Sequence, residues 1–354
     1  MWLSLSRREE LKNAPDLKSH SFRNTFPMPK TAQRYSFGSK DWVSGRTLGL
    51  LAFTALLVVA MALLSPEFLS GQTFFSQSRY IAFYVLVALA QAVCLCVGGL
   101  NLAVGAVGSL TTVVLGLLFA RAHLSPWLAV PVALLVGPAT GLLHGWLVTR
   151  VKIDAFIVTL STMFVYMGLR SGISGGASYS IPPTFWWLGQ GSIAGWLPYC
   201  FLLVLGILWT VSYLYNHTVL GRRLLATGSN ADAARLSGID TGRMIVCAHV
   251  LSGGFSSLAA VMWSSWSGNA APQAGDDWLI ISFAVAIIGG TGLRGKLISP
   301  FGILVGAVIF KLIQHLLVIL RVNDNYSNTL LGMLILLAIL VDRAREKFSM
   351  PANA

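Results

Sequence analysis

The sequence contains few charged residues. Asp, Glu, Lys and Arg make up 11% of its 354 residues, whereas 55% are hydrophobic. Soluble domains carry about 25% charged residues, so this composition excludes an ordinary soluble domain. The 25 Lys and Arg outnumber the 13 Asp and Glu, but nine of the basic residues lie in the first 46 positions and most others in short segments between apolar runs. This distribution argues against binding to nucleic acid, which needs a concentrated basic surface.

Reactive and metal-binding side chains are also scarce. The four cysteines lie within or at the ends of apolar runs, which indicates small buried side chains rather than a metal or redox site. The six histidines lack the H-x-x-x-H spacing of metal sites. Residues 290–297 approach a phosphate-binding loop, but Leu297 stands where Ser or Thr would hold magnesium. We therefore predict no metal, no cofactor, no catalytic residue and no ATP site in this chain.

Long hydrophobic runs make up most of the remaining sequence. Ten of them can cross about 30 Å of hydrocarbon at about 1.5 Å per helical residue. They cover residues 47–64, 79–97, 100–120, 126–148, 155–171, 196–215, 243–266, 278–293, 298–320 and 327–341. The boundary between the second and third is weak, because Gly98 and Gly99 provide the only break there. The sequence thus predicts an all-α integral membrane protein with ten transmembrane helices.

The basic residues indicate the orientation of these spans. If the N-terminus is cytoplasmic, 20 Lys and Arg lie in inner segments and three in outer segments. This bias follows the positive-inside rule at every loop and requires an even number of spans. We therefore expect both termini in the cytoplasm. The expected divisions are a mostly disordered basic tail at 1–46, a membrane domain at 47–342 and a second cytoplasmic tail at 343–354.

A glycine-rich stretch interrupts the third predicted span. Residues 98–109 contain four glycines, each of which lowers helix stability by about 1 kcal/mol relative to alanine. In a bilayer, interrupted helix is tolerated only where it lines a cavity or packs against protein. Two interpretations stay open: a broken helix at a translocation pathway, including Gly99, Asn101 and Gly105, or close helix packing through small residues.

Two further groups of polar residues lie within predicted spans. The first consists of Phe156, Thr159 and Thr162, and the second of Lys311, Gln314 and His315. An aromatic ring beside hydroxyl groups suits a sugar, although helical hydroxyl groups also bond to their own backbone. An ionisable residue such as Lys311 in mid-span faces the interior of a bundle, where it contacts substrate or serves structural pairing or gating.

Residues 216–242 form a basic segment, rich in small residues, between two apolar spans. Asn230 is placed to cap a short helix that includes Asp232 and ends at Gly238. Glycines 228 and 238 are expected to allow sharp turns at the two ends of this helix. The segment is either a docking surface for a second protein or an anchor at the membrane surface, and the residues alone favour neither.

The same segment resembles the cytoplasmic loop of a known family, the permease subunits of bacterial ATP-binding-cassette importers for monosaccharides such as ribose, xylose, galactose and autoinducer-2. The shared positions are Gly221, Arg222, Gly228, Asn230, Ala233, Ala234 and Gly238. Three shorter stretches are similar to the family's G-I-D-L-S-V-G, F-I-x-T-L and I-G-G-T motifs. They begin at Gly99, Phe156 and Ile288. The resemblance covers residues 48–342, which is nearly all of the chain outside the N-terminal tail.

This resemblance implies a mechanism and partners. Two permease chains, identical or paralogous, would form the pathway in the bacterial inner membrane, and a periplasmic binding protein would deliver the sugar. Separate ATPase subunits would bind the segment 216–242 through the shared residues and Arg235. Asn101 replaces the family's usual Asp, Gln314-His315 its frequent Asn-Gly, and Arg294-Gly295-Lys296 a glycine-rich stretch. These departures leave the identity of the sugar open.

Two other classes of transporter compete with this interpretation. An amino-acid importer permease of the same architecture cannot be distinguished by sequence alone. An ion-coupled secondary transporter would need coupling carboxylates within its spans, and Asp154, at the edge of a span, is the only candidate. A membrane scaffold protein is disfavoured by the glycine-rich interruption and by Lys311.

Overall fold

The computed structural model describes residues 45–291 and 298–321, together with five positions between 329 and 336. Three predictions lie outside the described residues: residues 1–44 of the N-terminal tail, most of the tenth span and the tail at 343–354. The charged residues Arg294 and Lys296 lie outside them as well.

Helices make up most of the described chain. In order they are α1 (Gly45–Leu64), α2 (Gly71–Cys96), α3 (Val104–Ala120), α4 (Pro126–Trp146), α5 (Ala155–Ser174), α6 (Trp187–Gln190), α7 (Tyr199–His217), α8 (Val219–Ser229), α9 (Ala231–Leu236), α10 (Thr241–Ser267), α11 (Trp278–Ile288) and α12 (Pro300–Ile319). Single turns of other helix types occur at Pro66–Leu69, Leu147–Val151 and Pro183–Phe185.

The apolar helices coincide with the predicted spans. Helices α2, α4, α5, α7, α10 and α12 are long and apolar enough to cross a membrane, and α1, α3 and α11 are shorter apolar helices. Each of the first nine predicted spans therefore overlaps an apolar helix in the described part of the chain. The second span departs most from its prediction, because α2 begins at Gly71, eight residues before the predicted start at position 79. In the eighth, α11 ends at Ile288, five residues before the predicted end at position 293.

Four two-residue strands depart from the all-α prediction. β1 (Tyr179–Ser180) pairs with β4 (Asn269–Ala270), and β2 (Ser192–Ile193) pairs with β3 (Leu197–Pro198), both antiparallel. Three of these strands lie between α5 and α7, and β4 follows α10. The β1–β4 pair links the connection after α5 to the connection after α10, at one end of the bundle. We call this the opposite end, and we call the end that carries residues 216–242 the basic end.

Helix α10 lies at the centre of the bundle, where it packs most extensively along α4 and also contacts α2 and α3. Gly137, Gly141 and Gly145 recur every four residues on α4 and face α10. A Cβ atom at Gly137 would overlap the carbonyl oxygen of Gly253, and one at Gly141 would overlap that of His249. Small residues at this spacing let two helix backbones approach closely. We call this contact the α4–α10 seam; it was not predicted from the sequence.

Candidate functional site

Two non-helical segments meet within the bundle. The first connection, residues 97–103, joins α2 to α3, and the second, residues 271–277, precedes the short helix α11. Trp278, directly after the second segment, packs against Phe83 with ring centroids 4.7 Å apart. Phe83 lies about 18 Å along α2 from the start of that helix. The second segment therefore dips from β4 to mid-depth in the bundle, and we call it the re-entrant segment.

Asn101 fastens the first connection to the central helix. Its Nδ2 donates a hydrogen bond of 2.8 Å to Oγ of Ser252 on α10, and its Oδ1 accepts one of 3.0 Å from the backbone N–H of Ala103. The side chain is 1% exposed. Both ends of the amide are thus satisfied by protein atoms, which offsets the cost of burying it. Gly98, with a φ of 81°, supplies the left-handed backbone at the start of this connection.

The start of α3 packs directly against the re-entrant segment. A Cβ atom at Gly105 would overlap the carbonyl oxygen of Gly275, and a Cβ atom at Gly275 would overlap that of Gly105. One turn later, a Cβ atom at Gly108 would overlap the ring of Trp278. Gly105 and Gly108 therefore provide close packing, and the connection before α3 is non-helical, while a broken helix at a translocation pathway stays a prediction.

A buried arginine joins three elements at this contact. Arg170 on α5 donates a 2.8 Å hydrogen bond to Oγ of Ser109 on α3 and forms a 2.6 Å ion pair with Asp276 of the re-entrant segment. The side chain of Arg170 is 6% exposed, and that of Asp276 is 42% exposed. Neither residue was predicted from the sequence to have a role. An arginine within an apolar span and a carboxylate after a Gly/Ala/Pro-rich stretch were the available signals.

The hydroxyl groups predicted for the pathway bond mainly to their own helix. Oγ1 of Thr159 donates to the carbonyl of Ala155 at 2.7 Å, and Oγ1 of Thr162 donates to that of Val158 at 2.8 Å. Thr162 also lies 2.9 Å from Nε2 of the buried His144. The two threonines thus face the neighbouring helices.

Phe156 departs from its predicted grouping with these threonines. Its side chain is 46% exposed, whereas Thr159 is fully buried. On a helix, residues three apart share a face only in part, and here burial separates them. The ring therefore lies on a face of α5 that the rest of the described chain leaves uncovered.

Lys311, Gln314 and His315 form a second, separate group on α12. Nζ of Lys311 lies 3.8 Å from the centroid of the Tyr80 ring, a cation–π contact. The Tyr84 hydroxyl donates a 2.6 Å hydrogen bond to Oε1 of Gln314. This group packs on α2, while Asn101 bonds to α10, so the structure does not bring the two predicted groups together. A nearby cavity of about 20 Å³ beside Tyr80 can hold a water molecule but not a sugar.

The basic segment contains two helices, α8 and α9, where the sequence predicted one. Thr218 caps α8 and Asn230 caps α9, whose Asp232 and Ala233 N–H groups donate to Asn230 Oδ1 at 3.1 and 3.0 Å. The predicted short helix and its cap are confirmed. At its other end Gly238 adopts a φ of 80°, and its N–H donates to the carbonyl of Arg235.

The role expected of Gly228 as a turn is wrong. Gly228 lies inside α8, and a Cβ atom there would overlap the carbonyl oxygen of Cys96 at the end of α2. Gly221 has a similar position against the end of α7, where a Cβ atom would overlap the carbonyl of Leu214. Both glycines are therefore needed for close packing, because α8 lies flat against the ends of two long helices.

Helix α9 presents most of its surface outward. Ala234 is buried, and Arg235 Nε donates a 2.8 Å hydrogen bond to Thr241 Oγ1, which attaches the helix to α10. Arg222 and Ala233 are exposed. Leu236 is 92% exposed, the highest value among the exposed large hydrophobic residues described. Leu236 was not predicted from the sequence, because the hydrophobic spacing of a six-residue helix does not distinguish it from a core residue.

Comparison with known proteins places this arrangement in a family. Residues 74–339 match the family described as "Branched-chain amino acid transport system / permease component". The probable ABC transporter permease protein y4mJ of Sinorhizobium fredii is 32% identical over 84% of this chain and 89% of its own length. No solved structure matches the chain.

Two relatives carry the names of sugar permeases. The ribose import permease protein RbsC of Bacillus subtilis is 32% identical over 85% of this chain and 93% of its own length. The L-arabinose transport system permease protein AraH of Escherichia coli is 29% identical over 90% and 95%, respectively. With its apolar helices, the chain is a multi-pass membrane protein and not an enzyme. It belongs to the family of permease components of ATP-binding-cassette transport systems.

Proposed function

We propose that this chain is the transmembrane permease of an ATP-binding-cassette importer for a monosaccharide, a pentose or a hexose. The observation that carries this proposal is the similarity, over most of both chains, to permeases named for ribose and arabinose. The family description names branched-chain amino acids, which keeps an amino-acid importer as the second candidate. The ion-coupled secondary transporter is not favoured, because the relatives are permeases of ATP-driven systems.

The partners follow from this function. A separate ATPase subunit binds the basic end, and a periplasmic substrate-binding protein delivers the sugar at the opposite end. A second permease chain, identical or paralogous, completes the pathway in the bacterial inner membrane. This orientation places both termini in the cytoplasm and makes residues 1–46 and 343–354 cytoplasmic tails on a membrane domain at 47–342. The positive-inside distribution of Lys and Arg supports this arrangement.

The ATPase docks on residues 216–242. Its proposed contact and coupling residues are Gly221, Arg222, Gly228, Asn230, Ala233, Ala234, Arg235 and Gly238. The outward surface of α9 supports this proposal, since a capped helix with an exposed leucine at its end offers an apolar anchor within a basic rim. Coupling requires that the ATPase contact this surface differently in its two nucleotide states.

The substrate pathway runs along the contact between α3, α5 and the re-entrant segment. Gly105 lies at the contact with the re-entrant segment, Gly99 and Thr159 lie where the first connection meets α5, and Asn101 joins that connection to α10. Thr162 lies one turn further along α5. Phe156 faces outward from α5, where a second permease chain would contribute the other wall. Lys311 and Gln314 contact α2, and His315 lies against Phe68 in the turn before it. These three residues belong to the pathway only as gating residues.

Co-purification and uptake test the function. The protein, tagged at its C-terminus, is extracted in mild detergent from its native cells, and stoichiometric partners are identified by mass spectrometry. We expect an ATP-binding-cassette ATPase, and ATP-dependent uptake of radiolabelled ribose or arabinose by vesicles that contain the complex. Uptake of leucine but neither sugar would establish the amino-acid alternative. Recovery of the permease alone, with uptake that follows an ion gradient, would overturn the proposal.

A further inference from the structure

Arg170 is the buried charge that the proposed pathway leaves without a role. It lies on the apolar helix α5, is 6% exposed, and contacts α3 through Ser109 and the re-entrant segment through Asp276. An uncompensated charge inside a membrane protein is costly, so intramembrane arginines face the protein interior and pair there. The two partners come from elements that are distant in sequence, and the guanidinium group is what joins them to α5.

The re-entrant segment has the character of a pathway wall. Non-helical backbone at membrane depth is tolerated only where it is buried in protein or lines a water-filled cavity. Pro272 and Gly275 are buried against the bundle, whereas Gln273, Asp276 and Asp277 are exposed. An exposed amide and two exposed carboxylates at this depth face water rather than lipid, because burying them in hydrocarbon is unfavourable.

Little else attaches this segment to the helices. Its backbone hydrogen bonds are local: the N–H groups of Ala274, Asp276 and Trp278 donate to carbonyl oxygens three residues earlier. The Gly105–Gly275 contact is a close van der Waals approach of two backbones and provides no hydrogen bond. Within the described residues, the ion pair from Asp276 to Arg170 is the single polar side-chain link between the segment and a helix.

We propose that Arg170 is a positioning residue that holds the re-entrant segment in the wall of the substrate pathway. Arg170 is the fixed partner, because it is buried and also bonded to Ser109, and Asp276 is the partner that can move with the segment. The inference deepens the proposed transport function and rests on it. If the pair is broken, the segment keeps its local turns but loses its register against α3, and the pathway loses its shape.

The experiment compares four single variants in the full complex with its ATPase and binding protein. Arg170→Gln and Asp276→Asn break the pair, Arg170→Lys preserves the charge without the two-pronged geometry, and Arg121→Gln is the matched control. Arg121 is an exposed arginine at the end of α3. Uptake of radiolabelled ribose and arabinose is measured per assembled complex, which separates a positioning effect from a loss of folded protein.

A second readout follows the segment directly. Ala274→Cys is introduced into the wild-type and variant chains, and its rate of labelling by a membrane-impermeant maleimide is measured, with the chain lacking this cysteine as background. Cys94, Cys96 and Cys200 are buried and Cys247 is half-buried, so the rate of this background chain is subtracted. Ala274 is only half-buried, so release of the segment is expected to raise its labelling rate several-fold.

We expect Arg170→Gln and Asp276→Asn to lower uptake per complex about tenfold or more, with Arg170→Lys intermediate. A fifth chain that combines Arg170→Gln with Asp276→Asn should transport no worse than the more impaired of these two single variants, because both changes remove the same interaction. Uptake and labelling equal to those of Arg121→Gln, or full additivity of the two single effects, would overturn the proposal. If the wild-type complex takes up neither of these two pentoses, the labelling rate alone decides the position of the segment.

Discussion

Two glycine contacts in this protein have similar geometry but join different kinds of structure. In the α4–α10 seam, Gly137 faces Gly253, and each residue lies within a long helix. At the pathway, Gly105 faces Gly275, where a helix start meets non-helical chain. In both pairs a Cβ atom on either residue would overlap the backbone carbonyl oxygen of the other.

The surroundings of the two contacts determine what each can do. The seam is held along several turns, and the Leu134 carbonyl, which Pro138 leaves without a helical partner, accepts a hydrogen bond from Ser257 of α10. The contact is therefore rigid. The re-entrant segment has short local turns and one polar link to a helix among the described residues. In the α4–α10 seam, close glycine packing therefore holds two helices together rigidly. At the pathway, it borders a segment that can shift. The following variants test this difference, from the largest expected effect on the permease to the smallest.

Gly141→Leu should have the largest effect, because it breaks the seam. The new side chain would collide with the backbone of His249 and Val250 on α10, and neither long helix can move aside. We expect a destabilisation of about 3 kcal/mol or more and little protein in the membrane. The amount of folded protein is measured by size-exclusion chromatography after detergent extraction.

The matched control for this variant is Gly206→Leu on α7. No atom of the described residues lies within 4 Å of a Cβ atom at Gly206, and the residue is exposed. We expect wild-type amounts of this protein. Equal yields of the two variants would contradict a rigid seam.

Gly105→Val should have the next largest effect on folding but abolish transport. The collision is with the carbonyl of Gly275, and the re-entrant segment can shift to relieve it. We expect a destabilisation of about 1–3 kcal/mol, retention of folded protein and loss of uptake. Uptake per folded protein and thermal stability are both measured. If the variant disappears from the membrane as Gly141→Leu does, the two contacts do not differ.

Gly238→Val should have a smaller effect, because it strains the backbone at this position and creates no steric overlap. The φ of 80° at Gly238 is unfavourable for valine by about 1–2 kcal/mol, although nothing lies within 4 Å of the new Cβ atom. We expect normal insertion, distortion of the end of α9, and loss of ATPase co-purification and uptake. Asparagine tolerates this conformation, so Gly238→Asn should retain both. Normal uptake by the valine variant would remove Gly238 from the coupling surface.

Leu236→Ala should change the permease least. The side chain is 92% exposed, so its truncation should alter the free energy of unfolding by no more than about 0.5 kcal/mol. If α9 is the docking surface, the same change removes an apolar anchor and lowers the ATPase recovered with the permease. Leu135→Ala, on α4 and 65% exposed, lies outside residues 216–242 and is the matched control. Equal ATPase recovery from both variants would contradict a specific role for Leu236.

Local sequence signals predicted much of the helical framework. Long apolar runs identified the first nine apolar helices, because hydropathy and length determine whether a segment can span a bilayer as a helix. Asn230 and Gly238 marked the two ends of α9, because capping and left-handed backbone depend on neighbouring residues only.

The candidate site was predicted less completely, because its residues meet through contacts that are distant in sequence. Asn101 was identified by its polarity, but its bond to Ser252 depends on how α10 crosses the first connection. Lys311 was grouped with the pathway by depth alone, and its contact with Tyr80 separates it from Asn101. Gly228 was interpreted as a turn, since its role against the end of α2 appears only when α8 is packed.

The sequence by itself determined that this is a multi-span helical membrane protein whose basic segment contains a short helix capped by Asn230. These properties follow from composition and from residues a few positions apart. Tertiary structure alone decided that Gly105 meets Gly275 and that Arg170 meets both Ser109 and Asp276. Helices that are hydrophobic on all sides have no distinct apolar face, so the hydrophobic pattern of the sequence does not specify which faces pack together. Small residues and a buried ion pair make that choice, and their partners are known only once the helices are assembled.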